Sequence, residues 1–280
     1  MKVKSSAKIN LALDVTGRRA DGYHEIESVF QTVGIYDEIT VELTEKGIEL
    51  ICESASDDIP CDEKNIAYKT ARKFLDENKI ETGCKIHIKK GIPSQAGMGG
   101  GSSDSAAVLF CLEKLTGKTF SSPEKIGADV PFFLCGGTAY VTGIGEKITR
   151  IADYSGKILV IAKGKEGVST AEAYKAIDNL ENYSPLDIKN LIQAIEKKED
   201  ISRYTENIFE KAVQLPEVAD IKRIMLANGA ESACMTGSGS AVFGIFSNPE
   251  SAQKCNEILS RDFVFSCICE TVPESFIILE

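Results

Sequence analysis

Apolar and polar positions alternate in short runs along the first half of the chain and follow longer helical periods in the second. Lys8-Ile-Asn-Leu-Ala-Leu-Asp-Val15 alternates at its start and Asp37-Glu-Ile-Thr-Val-Glu-Leu43 throughout, so both read as strands. Glu49–Cys52 and Lys85–Ile88 add two short strands. Between them, Lys64–Asn78 reads as a helix with Ile66, Ala67, Ala71, Phe74 and Leu75 on one side. Asp104–Leu115 has helical spacing and ends at Gly117, and Thr138–Thr142 with Lys147–Ile151 predicts a hairpin around Gly143 and Gly145.

The second half opens on a buried-strand pattern, Lys157–Ala162, followed by helical segments at Thr170–Asn179, at Asp187–Lys197 and after Pro216, with Asn228-Gly229 as a stop. Glu231–Met235 and Ala241–Phe246 read as a hairpin around Thr236-Gly-Ser-Gly-Ser240. A helix from Pro249 and a last strand, Phe263–Ile268, complete the series. This order, strand, helices, two strands, helix, strand, is an α+β arrangement of the ferredoxin-like kind. The chain divides into 1–154 and 155–280, with the boundary near Ala152–Gly156.

The stretch Gly91-Ile-Pro-Ser-Gln-Ala-Gly-Met-Gly-Gly-Gly-Ser-Ser103 carries four glycines within five residues and leads into a helix. Free N–H groups at such a helix start, together with the helix dipole, favour an anion. The loop departs from the two commonest nucleotide patterns. Gly101 runs straight into Ser102 with no lysine between, and the third glycine of Gly-x-Gly-x-x-Gly is replaced by Ser102 or Asp104.

Composition narrows the function. With 280 residues, 43% of them hydrophobic, the chain can bury a full core. A net charge of −10 disfavours nucleic acid and requires phosphate binding to come from local N–H groups and a few placed lysines. No apolar run approaches membrane-spanning length, and the charged start does not read as a signal peptide. Nine singly scattered cysteines indicate a reduced, cytoplasmic setting, and two separated histidines give no metal-site spacing.

Three blocks, Ser6-Ala-Lys-Ile-Asn-Leu11, Pro93–Ala107 and Cys234-Met-Thr-Gly-Ser-Gly-Ser-Ala241, occur in the order found in the GHMP kinases, and the chain resembles that family over nearly its whole length. The resemblance implies a ribosomal-protein-S5-like N-terminal domain, a ferredoxin-like C-terminal domain and an active site in the cleft between them. It also implies ATP as phosphate donor, with Mg²⁺. Lys8-Ile-Asn10, Arg19-Ala-Asp-Gly-Tyr-His24 and Gly127-Ala-Asp-Val-Pro-Phe-Phe133 resemble the branch whose acceptor is the 2-hydroxyl of a cytidine diphosphate methylerythritol. The alternatives are a small-alcohol kinase of homoserine or mevalonate type, and a nucleotide sensor without catalysis. Relatives carry an extra helical stretch where this chain has only Thr119–Ile126, and Asp129 is still expected to reach the site.

By resemblance Asp129 is the catalytic base and Lys8 the catalytic lysine. From the residues alone Asp129 also reads as a turn aspartate, and Lys8 reads first as a lysine on a solvated strand face. Pro93, Ser94, Gln95, Ala96, Gly97, Met98, Gly99, Gly100, Gly101, Ser102 and Ser103 are expected to hold ATP, with one of the two serines open to a capping role. Asn65 is implied at adenine or serves as an N-cap. Asn10 shares a strand face with Lys8 and is expected to meet the substrate. Tyr23 and His24 read from the residues alone as a packed turn pair; the resemblance implies them at cytosine, an aromatic face on the ring and the imidazole at its edge, with Tyr174 on the opposite side of the stack or else core-facing. The Thr236–Ser240 loop either completes the cleft near the phosphates or is a plain hairpin turn.

Overall fold

A computed structural model describes residues 1–54, 59–180 and 183–280. The long strands β1 (Lys2–Arg18) and β2 (His24–Thr44) pair antiparallel, and β3 (Ile48–Glu53) reaches its parallel neighbour β4 (Gly83–Lys89) through helix α1 (Ile66–Glu77). Helix α2 (Gly100–Thr116) packs on β1 and β2. A short link leads to α3 (Val130–Cys135) and to the hairpin β5 (Thr138–Gly143)–β6 (Lys147–Arg150). The second half runs β7 (Ile158–Lys163), α4 (Thr170–Ile177), α5 (Ile188–Lys197), α6 (Phe209–Ala212), α7 (Pro216–Ala227), β8 (Ser232–Met235) and β9 (Val242–Phe246). It ends with α8 (Pro249–Asp262), β10 (Phe265–Glu270) and β11 (Phe276–Ile278).

Two sheets result. The seven-stranded sheet runs β11-β1-β2-β4-β3, with β5 also on β2 and β6 on β5. The four-stranded sheet, β10-β7-β9-β8, is antiparallel throughout and has the strand order expected of a ferredoxin-like unit. On its edge away from β1, β2 serves two partners, pairing β5 from Ile26 to Gln31 and β4 from Glu38 to Thr44. β1 follows it through register shifts at Ser6/Ala7, Asn10/Ala12 and Val15/Gly17.

Burial explains why the sequence understates β1. Residues Ser5 to Val15 are buried without a break, so the inward–outward alternation fades. Ala7, Ile9 and Leu11 pack with Leu159, Ile161, Phe243 and Ile245 of the second sheet. Val3, Ile39 and Ile86 pack with Phe74 of α1 and Val108 and Leu112 of α2.

Helix ends follow their chemistry. Asn65 caps α1, accepting from the Ala67 N–H at 2.8 Å, and Ser169 with Glu172 forms a capping box on α4. Two expectations change. α2 begins at Gly100 rather than Asp104, because Gly99 takes a left-handed conformation (φ 73°) that turns the chain into the helix. The division after residue 154 also misses a return: β11 leaves the second half and pairs with β1, Val3 facing Ile278 and Ser5 facing Phe276.

The outgoing and returning segments are bonded together at Thr271. Its N–H donates to the Lys157 carbonyl at 3.0 Å and its hydroxyl to the Tyr154 carbonyl at 2.7 Å, while the Gly156 N–H donates to its carbonyl at 2.8 Å.

Phe276 anchors the return, its ring stacked on Phe110 of α2 at 4.9 Å. Phe276→Ala is expected to lower the unfolding free energy by about 2 kcal/mol, a half-buried aromatic truncation; denaturant melts of the two proteins check this.

Candidate active site

The two halves enclose a cavity of about 1070 Å³, lined by Lys8, Asn10, Phe30, Gly97, Gly99, Ser102 and Asp129 at one end and by Arg18, Tyr23, His24, Tyr174 and Asp178 among its other residues. Lys8 is 4% exposed, and its Nζ donates to Asn10 Oδ1 at 2.7 Å, lies 3.9 Å from Asp129 Oδ2 and sits 4.5 Å above the Phe30 ring. Burial pulls its pKa down, and the Asp129 charge opposes this. The short Thr119–Ile126 connection, which contains one 3₁₀ turn at Pro123–Lys125, therefore still delivers Asp129 to Lys8. The Asp129 side chain keeps 28% exposure and faces the cavity.

Asn10 is engaged on every side. Its Oδ1 accepts from Lys8 Nζ, from the Gly237 N–H at 2.9 Å and from Thr236 Oγ1 at 3.2 Å, and its Nδ2 donates to Ser28 Oγ at 3.0 Å. Its amide thus holds Lys8, the Thr236 hydroxyl and the Gly237 N–H, and Asn10 still lines the cavity beside Lys8.

No side chain caps α2, so the first N–H groups of a 17-residue helix are left for a ligand. Gly97, Gly99 and Ser102 line the cavity, and Gly100 and Gly101 form the first turn. Pro93 and Ser94 are half-buried at the start of the loop, and Gln95 is exposed with φ 49°. Ala96 and Met98 bury their side chains in the core, leaving only their backbone for a ligand. Ser103 is corrected too: its fully buried hydroxyl donates to the Ser6 carbonyl at 2.7 Å, toward β1 and away from the cavity. Asn65 is a cap, its Oδ1 on the Ala67 N–H and its Nδ2 on the Pro60 carbonyl at 2.8 Å, so its side chain is not held ready for adenine.

The Thr236–Ser240 loop lies backbone to backbone on the glycine loop. A Cβ at position 97 would stand 2.2 Å from the Thr236 carbonyl oxygen, at a φ of +73° that already favours glycine. Asn207 fixes the far side of this contact, donating to the carbonyls of Met235 at 2.7 Å and Gly237 at 2.8 Å.

At the other end His24 and Tyr174 stack on each other, centroids 4.7 Å apart and planes 20° apart. Tyr174 supports the imidazole, packs edge-on against Phe209 and lines the cavity together with Tyr23. Tyr23 is 60% exposed beside them.

Two groups escaped the sequence reading. The Asp37 carboxylate accepts from the N–H groups of Gly91 at 2.7 Å and Ile92 at 2.8 Å, and Lys90 pairs with both Asp37 and Asp104. This cluster pins the entry of the glycine loop to β2 and α2. Burial and then the Asp37 charge push the Asp104 carboxyl well up, while Lys90, despite its burial, is held up by the two carboxylates. The only local signal was a lysine directly before Gly91. The second group is Arg18 and Asp178, which meet across the two halves.

A buried ammonium beside a solvated carboxylate, next to an uncapped helix start, can hold a polyphosphate and place an alcohol for phosphoryl transfer. Comparison with known proteins agrees: the profile of the GHMP kinases N terminal domain matches residues 65–137, and that of the GHMP kinases C terminal matches residues 176–264. The chain belongs to the GHMP kinase family. Among relatives of this GHMP kinase, a Clostridium botulinum (strain Alaska E43 / Type E3) protein named 4-diphosphocytidyl-2-C-methyl-D-erythritol kinase is 40% identical, over 97% of this chain and 100% of its own. A Caldicellulosiruptor bescii protein of the same name is 41% identical over 96% and 99%. A crystal structure of 4-(cytidine 5'-diphospho)-2C-methyl-D-erythritol kinase superposes with a TM-score of 0.83 at 30% identity, covering 96% of this chain and 98% of that one. Homoserine kinase from Cytophaga hutchinsonii shares the fold, with a TM-score of 0.78 at 20% identity over 100% and 97% of the two chains.

Two outcomes are expected of this GHMP kinase. Gly97→Ala drives a methyl group into the Thr236 carbonyl and is expected to destabilise the fold by about 1–3 kcal/mol in a denaturant melt. The alkaline limb of kcat/KM, which reports the free enzyme, should fall below the ordinary lysine value of 10.5, because burial favours the neutral amine of Lys8; a pH–rate profile measures it.

Proposed function

We propose that this chain is an ATP-dependent kinase that transfers the γ-phosphate to the 2-hydroxyl of 4-diphosphocytidyl-2-C-methyl-D-erythritol, a step of isoprenoid precursor biosynthesis. The observation that carries the reading is the Lys8–Asp129 pair, 3.9 Å apart at the foot of a cavity that also holds the uncapped start of α2 and the Tyr23–His24 corner. The relatives named above, at about 40% identity over nearly the full chain, support the choice of acceptor.

In this mechanism the triphosphate lies along the backbone of residues 97–102, where the first α2 N–H groups meet its charge. The cytidine end sits at Tyr23 and His24, which brings the acceptor hydroxyl to Asp129. The hydroxyl oxygen attacks the γ-phosphorus in line, its proton passes to the Asp129 carboxylate, and ADP leaves. The Lys8 ammonium lies beside both groups and stabilises the charge on the transferring oxygens, replacing the cation that the glycine loop lacks.

Among the described residues no group of three or more His, Cys, Asp or Glu side chains converges on a metal site. Magnesium fits here as part of the substrate, held by ATP oxygens together with one or two protein oxygens. The half-exposed Ser102 hydroxyl lines the cavity and is the donor suited to it, which leaves Asp129 free as the base. Bound there, the ion would neutralise charge on the β- and γ-phosphates. The cytoplasmic setting expected from cysteine usage belongs to the same reading.

The test is ADP release with the cytidine substrate, homoserine and mevalonate in parallel. Turnover of the cytidine compound is expected, and its absence alongside good turnover of another alcohol refutes the reading. Asp129→Asn and Lys8→Ala should each lower kcat by at least about a hundredfold, and near-wild-type turnover removes that residue from the mechanism.

A further inference from the structure

Asp178 ends α4 as its C-cap residue, one turn beyond Tyr174, and its N–H donates to the Tyr174 carbonyl at 3.1 Å. Both residues engage His24. Tyr174 covers the face of the imidazole, and Asp178 Oδ1 lies 2.7 Å from His24 Nε2. The other carboxylate oxygen, Oδ2, is 3.1 Å from Arg18 Nη1 at the end of β1. One side chain thus bridges the last residue of β1, the first of β2 and the end of α4, three elements drawn from both halves of the chain.

The consequence lies in the hydrogen on the ring. An ionised carboxylate only accepts hydrogen bonds, so Nε2 of His24 carries N–H and donates to Asp178. In the neutral imidazole, Nδ1 is then a lone-pair acceptor. Nδ1 has no hydrogen-bond partner among the described residues, and His24 lines the same cavity as Lys8 and Asp129. Its side chain is only 9% exposed, so the ring is held rather than free to flip.

We infer that Asp178, braced by Arg18, is a positioning residue that fixes the tautomer of His24, so that Nδ1 accepts a hydrogen bond from the exocyclic amine of cytosine and rejects uracil. This rests on the cytidine reading above. Cytosine presents an amino group at the position where uracil presents a carbonyl oxygen, and two acceptors cannot pair. Arg18 takes the second carboxylate oxygen and keeps it from competing for the base edge. Asp178 touches neither the reacting hydroxyl nor the γ-phosphate in this arrangement, so its effect falls on binding.

The closing experiment compares the cytidine substrate with its uridine analogue for the wild type, Asp178→Ala and Asp178→Asn, alongside a ¹⁵N spectrum of the imidazoles. The chain has only two histidines, so the spectrum holds two rings to assign. The wild type is expected to show His24 protonated at Nε2. Asp178→Ala should raise KM for the cytidine substrate about tenfold, with kcat and the KM for ATP within about twofold, and should lose a similar factor of discrimination against uridine. Asp178→Asn, whose carbonyl still accepts the Nε2 hydrogen, should recover most of that KM. Wild-type turnover combined with an unchanged KM and discrimination in Asp178→Ala overturns the proposal, as does a wild-type His24 protonated at Nδ1. A wild type that does not turn over the cytidine substrate at all overturns the functional reading, and this proposal falls with it.

Discussion

The Asn10 side chain joins Lys8, Ser28 of β2, the Thr236 hydroxyl and the Gly237 N–H within one buried amide. Each of these hydrogen bonds is worth only about 0.5–1.5 kcal/mol net, but losing the amide would strand several donors out of reach of water, where each costs more. The arrangement also makes a buried lysine tolerable. With Asn10 Oδ1 at 2.7 Å and the Phe30 face at 4.5 Å, the Lys8 ammonium keeps partners that do not neutralise it. The loop that packs against the glycine run is tied to the same atom, so the placement of the cation and the shape of the phosphate site depend on one side chain.

The two buried lysines differ in what surrounds them. Lys90 faces two carboxylates, Asp37 and Asp104, and the group as a whole is internal structure holding the mouth of the glycine loop. Lys8 has one partly solvated carboxylate at 3.9 Å, too far for a close ion pair, and a neutral amide nearer. Its charge is left partly unmatched toward the cavity. Incomplete pairing in a cleft is what a site for a polyanion needs, whereas complete pairing under a loop makes a scaffold.

Much of this was legible in the sequence because it is local. Period-two alternation marked the Asp37–Leu43 part of β2, Pro216 and Asn228-Gly229 bracketed α7, and the order of elements in the second half gave its strand order. The Lys8 and Asp129 candidates came from family resemblance, and the structure brings them within 3.9 Å. What escaped was set by distant partners. Ser103 turns inward because Ser6 of β1 offers a carbonyl, Asn10 is occupied by a loop more than two hundred residues away, and Tyr174 lies against His24 because α4 carries it there. The full extent of β1 was hidden for a related reason: burial on both faces removes the alternation that identifies a strand.

The return of β11 to β1 gives the second half two covalent connections to the first, one through residues 151–157 and one through 271–275. These strands are not independent tethers, because Thr271 bonds to Tyr154, Gly156 and Lys157 and zips them into a single ribbon. The bonded pair lies at the seam of a shared core, where Ala7, Ile9 and Leu11 of β1 pack on Leu159 and Ile161 of β7. The path that leaves the first sheet returns to that sheet's own edge, so fraying of either crossing is opposed by the other.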